Sequence, residues 1–566
     1  MMPSADPAAK SMHLRDYAIL VAVAVMLYGV AVFSGRPLSV HEARVPQLAR
    51  EMARGQSDWL LPQSGGRPWL ERPPLPHWFT ALSMLAFNRT DELWVVRLPA
   101  AIAGLIVVLV GAWIATRWYG RSFGLIAGVV IATSYELYQY ATLAEDDIYL
   151  GMLVVACMAM FVKAEWPRPD PNRVDPNGNR DRGRSWIAWF SAIVTPRRDW
   201  ATLAFFLLLG LTNFAKGPLV GAVPVIATVT VHLLLKRDPR SIRRYAWLWG
   251  WLLFIGLSIA WPWWAVKHYP DVLDNWRFDY LGQSDGDAAH QWDEAWWYYL
   301  MVLPLALAPW TWATVIGLVD TARRAWQERG SPERFLWCWA LTGLLILSLP
   351  ARKHHHYLVP ILLPWAILSA LGVVAVGRRF AASGNSWGLN PGRIAGTVVG
   401  VFILCAAYVQ IRIAGRDDAT VAERRFLQEV EKYAPLDEPI FINSDIGSLG
   451  FFRLQFCSPH WPRLLHNLSF LRDQELTNPV VYVITRAKDE PELQRLGETQ
   501  VVTAADTSRH EQSPGQRFTL FRVVLSPNLR RYALPPYIGV MQAMHRKTGP
   551  SCGPLLEGYV DTAKPN

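Results

Sequence analysis

Charged residues are scarce in this sequence. Asp, Glu, Lys and Arg account for only 18% of its 566 residues, whereas 52% are hydrophobic and 28 are tryptophans. Soluble domains normally carry about 25% charged residues. The composition therefore excludes an ordinary soluble enzyme and indicates a membrane protein.

Ionisable residues are almost absent from the long apolar runs. Eleven runs of a length that can cross a bilayer core occur before residue 412, and Glu136 and His232, both near the end of a run, are the exceptions. Transporters usually need charges near the bilayer midplane, so a transport role is disfavoured. The runs cover 17–35, 94–116, 122–142, 148–164, 200–215, 218–235, 245–265, 297–319, 335–350, 357–376 and 394–411.

The net charge of +10 does not indicate nucleic-acid binding, because the basic residues concentrate in short loops between the runs. Loops rich in Lys and Arg stay in the cytoplasm. This rule places 166–186, 236–245, 320–334 and 377–380 on that side. With a cytoplasmic N-terminus, the opposite face receives 36–93, 141–147, 215–218, 267–294, 351–357 and the region after 411. The loops that mix acids, bases and histidines therefore share one face of the membrane.

The composition changes after residue 411, which predicts two domains: a transmembrane domain over 1–411 and a soluble α/β domain over 412–566. In the second domain, strand-like runs at 439–444, 479–485 and 517–525 alternate with helix-like runs at 421–433 and 490–497. No glycine-rich nucleotide motif occurs there. Segment 76–87 is too short to span the bilayer and is expected to lie along its surface.

Cysteine is rare as well. The sequence has five cysteines, and only Cys457 and Cys552 lie outside the predicted spans. An extracytoplasmic location permits a disulfide between them. A single pair in a chain of this length also leaves two free thiols as an open alternative.

A reaction at the outer face has no access to cytosolic nucleotide sugars, and a lipid-linked sugar phosphate is a donor that removes this difficulty. Such a donor requires cations or a metal ion for the leaving phosphate and a carboxylate that activates the acceptor. Loop 38–79 offers both kinds of group, because Glu42, Arg44, Glu71 and Arg72 occur in it beside a doubled proline.

Six segments resemble, in the expected order, the protein O-mannosyltransferase-like superfamily, whose bacterial members include the aminoarabinose transferase that modifies lipid A. The resemblance covers most of residues 14–376. The segments are HEARVPQLAREMARGQSDWLLPQSGGRPWLERPPLPHWF at 41–79, VVRLPAAIAG at 95–104, YGRSFGLIAGVVIATS at 119–134, AEDDIYL at 144–150, GLTNFAKGPLVGAVP at 210–224 and RKHHHYLVPILLPWAILSA at 352–370.

The resemblance implies a polytopic α-helical membrane protein of the GT-C fold, which the eleven or more spans fit, followed by the soluble α/β domain. It implies a glycosyltransferase that moves a sugar, with inversion, from a polyprenyl-phosphate-linked donor to a lipid, glycan or protein acceptor. The implied partners are membrane lipids, this donor and this acceptor, without nucleic acid. The implied location is the bacterial inner membrane, with the active site and the C-terminal domain on the periplasmic side.

The family's functional residues carry over to specific positions. Asp147 is preferred to Asp146 as the acid of the second outer loop, because Leu150 follows three residues later as in the family pattern. The candidate roles are catalysis for His41, Glu42 and Asp147, donor-phosphate binding for Arg44, Arg72, Lys216, Arg352, Lys353 and Tyr357, and metal binding for Glu71 and His290.

The sequence departs from the family at several of these positions. The family's first acid, the leading candidate for the general base, is His41 here. A neutral imidazole accepts a proton near pH 7, so His41, Glu42 and Asp147 remain alternatives as the base. The family lysine after Glu71 is Arg72, which keeps the positive charge. The fourth outer loop lacks the family's His and Arg, which leaves His268 or His290 as a ligand and the divalent metal ion as an open question.

Each assignment has a structural alternative. Glu42 and Arg44 also suit an ion pair at a helix start, and Asp147 also suits a solvated acid. Lys216, Arg352 and Lys353 also suit anchors whose charged ends reach the membrane surface. The triple histidine at 354–356 invites a zinc site, but three consecutive residues rarely bind one ion. For the whole chain, the alternative is a non-catalytic family member that binds or transports lipid-linked sugars.

Overall fold

A computed structural model describes most of the first 434 residues and parts of the remainder. The described residues are 11–39, 41–64, 67–167, 199–217, 220–270, 272–273, 276, 294–350, 353–382, 391–414, 418–434, 440–443, 454–456, 463–465, 468, 471, 479–504 and 518–526. His290, Arg352, Cys457 and Cys552, for which a role or a disulfide was predicted, lie outside these residues.

The chain divides into two compact units, each built from several parts of the sequence. The helical unit consists of Met1–Phe33, Arg97–Pro262 and Glu294–Gln410. The mixed unit consists of Ser34–Val96, Trp263–Asp293 and Ile411–Asn566. The predicted functional division at residue 411 stays a prediction.

Helices make up most of the described chain. The α-helices are α1 (Leu14–Val32), α2 (Arg44–Ala53), α3 (Leu75–Phe87), α4 (Leu93–Tyr119), α5 (Arg121–Ala132), α6 (Tyr135–Ala141), α7 (Asp147–Glu165), α8 (Trp200–Lys216), α9 (Ala222–Lys236), α10 (Pro239–Tyr245), α11 (Leu248–His268), α12 (Tyr298–Ala306), α13 (Thr311–Gln327), α14 (Pro332–Ser348), α15 (Leu362–Ala382), α16 (Pro391–Ala414), α17 (Asp418–Tyr433) and α18 (Glu490–Gln494). Two 3₁₀ helices cover His355–Ile361 and Ala487–Asp489.

Five segments in the described part are long and apolar enough to cross a membrane, or six if the bent pair α12 and α13 counts as one span. The five are Leu14–Val32, Leu93–Tyr119, Asp147–Glu165, Pro239–His268 and His355–Phe380. Apolar helices of 10 to 17 residues, such as α5, α8 and α9, occupy several of the other predicted runs. The protein is therefore a polytopic helical membrane protein, and its eleven spans stay a prediction.

Two runs that hydropathy joined into single helices are broken in the structure. Run 122–142 forms α5 and α6, and run 297–319 forms α12 and α13, which meet at 109°. The two breaks lie side by side in the helical unit and bond to one another. The Tyr135 N–H donates to the carbonyl of Ala308 at 2.9 Å, and the Trp310 indole N–H donates to the Thr133 hydroxyl at 2.9 Å. Each break thus provides hydrogen-bond partners for polar groups that the other break leaves unpaired within its own helix.

Helices α13 and α15 approach each other so closely that glycine is required on both. A Cβ added to Gly317 would lie 1.9 Å from the carbonyl oxygen of Leu368, and one added to Gly372 would lie 1.9 Å from that of Ala313. These neighbours are backbone atoms, which cannot turn away as a flexible side chain can. The glycines therefore set the distance between the two helices.

We expect Gly317→Ala to destabilise the protein by about 1 to 3 kcal/mol or more, because the new methyl group forces the two backbones apart. Gly256→Ala is the matched control, since no atom lies within 4 Å of the position of its Cβ. Alanine is favoured over glycine in a helix by about 1 kcal/mol, so the control should be neutral or slightly stabilising. Thermal unfolding of the two purified variants tests this, and equal melting temperatures would contradict the close approach.

The first part of the mixed unit contains α2, a short hairpin and α3. Strand β1 (Gln63–Ser64) pairs antiparallel with β2 (Arg67–Pro68). Helix α3 covers the segment 76–87, which was predicted to be too short to span the bilayer, and it follows the doubled proline directly. Its orientation toward a membrane stays a prediction.

The C-terminal part of the mixed unit contains a five-stranded sheet in the order β4-β3-β5-β7-β6. Its strands are β3 (Ile440–Asn443), β4 (Arg463–Leu465), β5 (Val480–Arg486), β6 (Gly497–Ala504) and β7 (Phe518–Leu525). Strand β3 pairs in parallel with β4 and β5, whereas β7 pairs antiparallel with β5 and β6. Buried apolar side chains such as Phe441, Val483 and Phe521 form its core.

Three strands lie where the sequence predicted them, and β4 and β6 were missed. Strand β4 has only three residues. Strand β6 is an edge strand with mainly exposed or half-buried side chains, so it lacks the apolar run by which the others were recognised. The predicted helices at 421–433 and 490–497 correspond to α17 and α18.

Candidate active site

The residues predicted for the site belong to both units. Asp147, Lys216, Lys353 and Tyr357 lie in the helical unit. His41, Glu42, Arg44, Glu71 and Arg72 lie in the mixed unit.

Asp147 and Lys216 form a buried ion pair. The Lys216 ammonium nitrogen lies 2.6 Å from an oxygen of Asp147 and 3.6 Å from an oxygen of Asp146. The exposed fractions of the three residues are 1% for Asp147, 4% for Lys216 and 3% for Asp146. A charge removed from water to this extent requires a partner. Both aspartates of the AEDD segment, and not only Asp147, therefore balance the positive charge of Lys216.

Local helix chemistry explains why these residues meet. Asp147 is the first residue of α7, where the helix dipole favours an acid, and Lys216 is the last residue of α8, where it favours a base. Gly217 ends α8 with a φ of 89°, a left-handed conformation that suits glycine. Helices α7 and α8 pack against each other in the helical unit, which brings the two ends together.

Tyr357 forms the aromatic side of this cluster. Lys216 lies over its ring, with 5.3 Å between the ammonium nitrogen and the ring centroid. The ring of His356 meets the ring of Tyr357 edge to face at 4.7 Å, and the rings of His354 and His356 stack at 5.1 Å. The HHHY segment thus lies against Lys216 through its tyrosine rather than as three convergent histidines.

A second carboxylate and a phenol adjoin the histidines, and sequence reasoning missed their role in the cluster. Glu136 is buried, and its carboxylate lies 3.3 Å from Nδ1 of His355. The Tyr140 hydroxyl lies 3.4 Å from the same nitrogen. Glu136 could have been singled out from the sequence, because it is an ionisable residue in an apolar run.

Tyr140 remains a neutral phenol. Burial raises the pKa of its hydroxyl well above the ordinary value, and the nearby carboxylates of Glu145 and Asp147 raise it further. The residue belongs to α6, whose seven residues are too few to cross a bilayer. The neutral Tyr140 hydroxyl can donate or accept a hydrogen bond.

Lys353 is buried and donates a hydrogen bond to the backbone carbonyl of Glu294 at 2.8 Å. It is thus anchored in the helical unit close to the HHHY segment, four residues before Tyr357. Its predicted contact with a donor phosphate stays a prediction, as does that of Arg352.

Glu42 is fully buried at the entrance to α2. Its carboxylate accepts a hydrogen bond from the Ser39 N–H at 3.1 Å, and its own N–H donates to the Ser39 hydroxyl at 3.1 Å. Arg36 lies 3.9 Å from the same carboxylate. His41 is exposed, and Arg44 begins α2 and is half-buried. The two candidate bases of this loop therefore differ: Glu42 is held in one place, whereas His41 faces solvent.

Glu71 and Arg72 follow the β1–β2 hairpin. Trp69 is fully buried, and its backbone N–H donates to the carbonyl of Pro62 at 2.6 Å. The indole N–H of Trp276 donates to the carbonyl of Leu70 at 2.8 Å. These bonds fix the backbone just before Glu71, which is buried, and Arg72, which is half-buried.

The described residues do not by themselves fit a metal centre. No group of three His, Cys, Asp or Glu side chains suited to a metal ion occurs among them. Glu71 is one of the two predicted ligands, and His290 lies outside the described part of the chain. The divalent metal ion stays a prediction.

Comparison with known proteins gives matches in sequence and in fold. A family profile described as dolichyl-phosphate-mannose-protein mannosyltransferase matches residues 71–168. The undecaprenyl phosphate-alpha-4-amino-4-deoxy-L-arabinose arabinosyl transferase of Aeromonas salmonicida is 26% identical over 451 residues, 77% of this chain and 72% of that protein. The transferase of the same name from Erwinia tasmaniensis is 27% identical over 63% of this chain and 60% of its own length.

Among solved structures, the fold is shared with ArnT from Cupriavidus metallidurans. Its apo structure matches with a TM-score of 0.65 and 15% identity, covering 89% of this chain and 97% of ArnT. Its structure bound to undecaprenyl phosphate matches with a TM-score of 0.63 and 16% identity, with the same coverage of both chains. Together with the ordered motifs, these similarities support a GT-C glycosyltransferase of the aminoarabinose transferase type.

Proposed function

We propose that the protein transfers one sugar from a polyprenyl-phosphate-linked donor to a lipid, glycan or protein acceptor at the extracytoplasmic face of the membrane. The observation that carries this proposal is the buried Asp147–Lys216 pair at the ends of α7 and α8. A buried ammonium ion paired with an acid can exchange that acid for a phosphate oxygen. Relatives named for an undecaprenyl phosphate donor, and ArnT bound to undecaprenyl phosphate, support this donor class.

The proposed reaction is a direct displacement. The acceptor oxygen attacks the anomeric carbon on the face opposite the phosphate, and the bond from that carbon to the phosphate oxygen breaks with its electron pair leaving on the phosphate. Lys216 stabilises the negative charge on the departing phosphate. The acceptor proton passes to a side-chain base, for which we propose the Asp147 carboxylate, with the Glu42 carboxylate and the His41 imidazole as the alternatives. Arg44, Arg72, Arg352, Lys353 and Tyr357 are proposed as further phosphate contacts.

The proposed orientation rests on the two ends of α7. Asp147 begins this helix and Glu165 ends it, and 19 residues of helix span about 28 Å, close to a bilayer core. At the Glu165 end, the Lys236 ammonium nitrogen lies 2.5 Å and an Arg244 nitrogen 3.4 Å from the carboxylate. These cations belong to loop 236–245, which the distribution of positive charge assigns to the cytoplasm. The Asp147 end would then face outward, and the predicted soluble domain over 412–566 would lie on that side.

Mass spectrometry of envelope lipids and glycans tests the function. We compare cells that carry the wild-type chain, lack it, or carry Asp147→Asn. Asp320→Asn is the control, because Asp320 is an exposed acid on α13. We expect one species heavier by a single glycosyl residue in the wild type and in the control, and its loss in the other two strains.

A different pattern would change the assignment. If deletion removed no glycosylated species, the chain would not be a transferase in these cells, and binding of undecaprenyl phosphate by the purified protein would test the non-catalytic role. If deletion removed the species but Asp147→Asn retained it, the reaction would stand and the role of Asp147 would be wrong.

A further inference from the structure

Arg50 is a buried cation in the helix that carries Arg44. Its exposed fraction is 3%, and its two terminal nitrogens donate to consecutive backbone carbonyls, to Phe456 at 2.5 Å and to Gln455 at 2.7 Å. Its guanidinium group also lies 5.2 Å from the centre of the Phe456 ring, and one nitrogen lies 3.5 Å from Asp91. The planar, forked guanidinium suits two adjacent acceptors in a way that lysine does not.

The acceptors of Arg50 come from the far end of the sequence. Leu454, Gln455 and Phe456 form one helical turn between strands β3 and β4, and all three are buried. Both α2 and this turn belong to the mixed unit. The chain after the last apolar helix therefore supplies the backbone carbonyls that hold a cation of the opening loop.

Helix α2 links this contact to the candidate site residues. Arg44 is its first residue and lies six residues, or about 9 Å along the axis, from Arg50. Glu42 lies just before the helix, tied to Ser39. Because Arg44 and Arg50 share this ten-residue helix, we expect a displacement at Arg50 to displace Arg44 and, through the adjoining backbone, Glu42.

We propose that Arg50 is a positioning residue through which the C-terminal region holds the opening loop in its working arrangement. This inference rests on the proposed function only where it predicts an effect on sugar transfer. The coupling itself, between segment 44–53 and turn 454–456, is a property of the structure and is measurable without turnover. Through this coupling, the region after residue 411 would influence the reaction without having to contact the substrate.

The experiment measures amide hydrogen exchange for full-length variants in lipid nanodiscs and sugar transfer in cells that carry the same variants. We expect Arg50→Ala to speed exchange in 44–53 and in 454–456 by about tenfold or more, because local opening of both segments becomes easier. Phe456→Ala should speed exchange in 44–53, since coupling is reciprocal. Transfer, measured as the glycosylated fraction of envelope lipids, should fall by about ten- to a hundredfold in Arg50→Ala, the usual effect of a misplaced catalytic group.

Two further variants separate positioning from general stability. Arg54→Ala removes a partly exposed cation at the end of the same helix, which pairs with Asp91 and not with the turn. It should leave exchange in 454–456 and transfer unchanged. Arg50→Lys keeps the charge but loses the double hydrogen bond, so transfer should recover only in part.

The outcomes distinguish the two proposals. Unchanged exchange in 454–456 for Arg50→Ala would overturn the coupling, whatever the activity. Faster exchange in both segments, with transfer equal to that of Arg54→Ala, would overturn the positioning role. If the wild type transfers no sugar while exchange changes as expected, the proposed function fails and the coupling stands.

Discussion

Replacing Lys216 with methionine is expected to reduce sugar transfer by about a hundredfold or more, because the departing phosphate loses a cation that stabilises its charge. The variant should also be less stable by about 3 to 5 kcal/mol, since Asp146 and Asp147 lose the ammonium ion between them in a buried environment. Transfer is measured as the glycosylated fraction of envelope lipids, and stability as the melting temperature of the purified protein.

The double variant Lys216→Met with Asp147→Asn separates these two effects. Removing both charges of a buried pair costs much less than removing one, so the double variant should regain about 2 kcal/mol relative to Lys216→Met. Asp146 remains charged and keeps the recovery incomplete. Transfer should stay as low as in the single variant, because neither the phosphate cation nor the proposed base is restored.

Recovery of transfer together with stability in the double variant would show that the pair only supports the fold. Lys236→Met provides a comparison. Lys236 also pairs closely with an acid, Glu165, but at the opposite end of α7 from Asp147. The Lys236→Met variant should be less stable than the wild type but should retain most of the sugar transfer per folded molecule.

The helices were predictable from the sequence, because the length of an apolar run by itself indicates a segment that can cross a bilayer. The sequence could not predict the breaks at Ser134 and before Thr311. Hydropathy treats Thr133 and Ser134 as neutral members of an apolar run, whereas in the structure both hydroxyls bond back to carbonyls of α5. The bond from Tyr135 to Ala308 depends on contact between segments that are distant in sequence. Only the folded helical unit brings those two breaks together.

The candidate site was predictable where a family motif named a residue and its neighbours. Lys216 in KGP and Asp147 in AEDD were predicted separately, and the structure places them 2.6 Å apart. The participation of Asp146, and the contact of Glu136 with His355, could not be read from spacing because they depend on how α6, α7 and the HHHY segment pack. The catalytic and binding roles of all these residues stay predictions.

The C-terminal region shows a different limit. Apolar runs predicted β3, β5 and β7, which are the interior strands of the sheet, and missed both edge strands. An interior strand is buried on its faces and flanked by partners, whereas an edge strand needs fewer apolar residues. The contact of turn 454–456 with Arg50 involves backbone carbonyls, which every residue type possesses. No sequence pattern of side chains could therefore have revealed it.

Glu42 presents the sharpest choice between a structural and a chemical role. Its carboxylate accepts from the Ser39 N–H, and the pair forms a reciprocal arrangement like a capping box before α2. This explains the burial of an acid at that position without any catalytic function. Arg36 lies 3.9 Å away and adds a cation beside the same carboxylate.

Glutamine and alanine at residue 42 distinguish these roles. Glu42→Gln keeps an oxygen that can accept from Ser39 but removes the charge and the ability to take a proton, whereas Glu42→Ala removes both. If Glu42 acts as the base, or if the reaction requires its negative charge, sugar transfer should fall by about a hundredfold or more in both variants. Only alanine should also lower the melting temperature, by the equivalent of about 1 kcal/mol for the missing cap. Glu92→Gln, at an exposed acid of the same unit, is the control. Full transfer by Glu42→Gln would assign the residue to the fold alone and leave Asp147 as the carboxylate of the reaction.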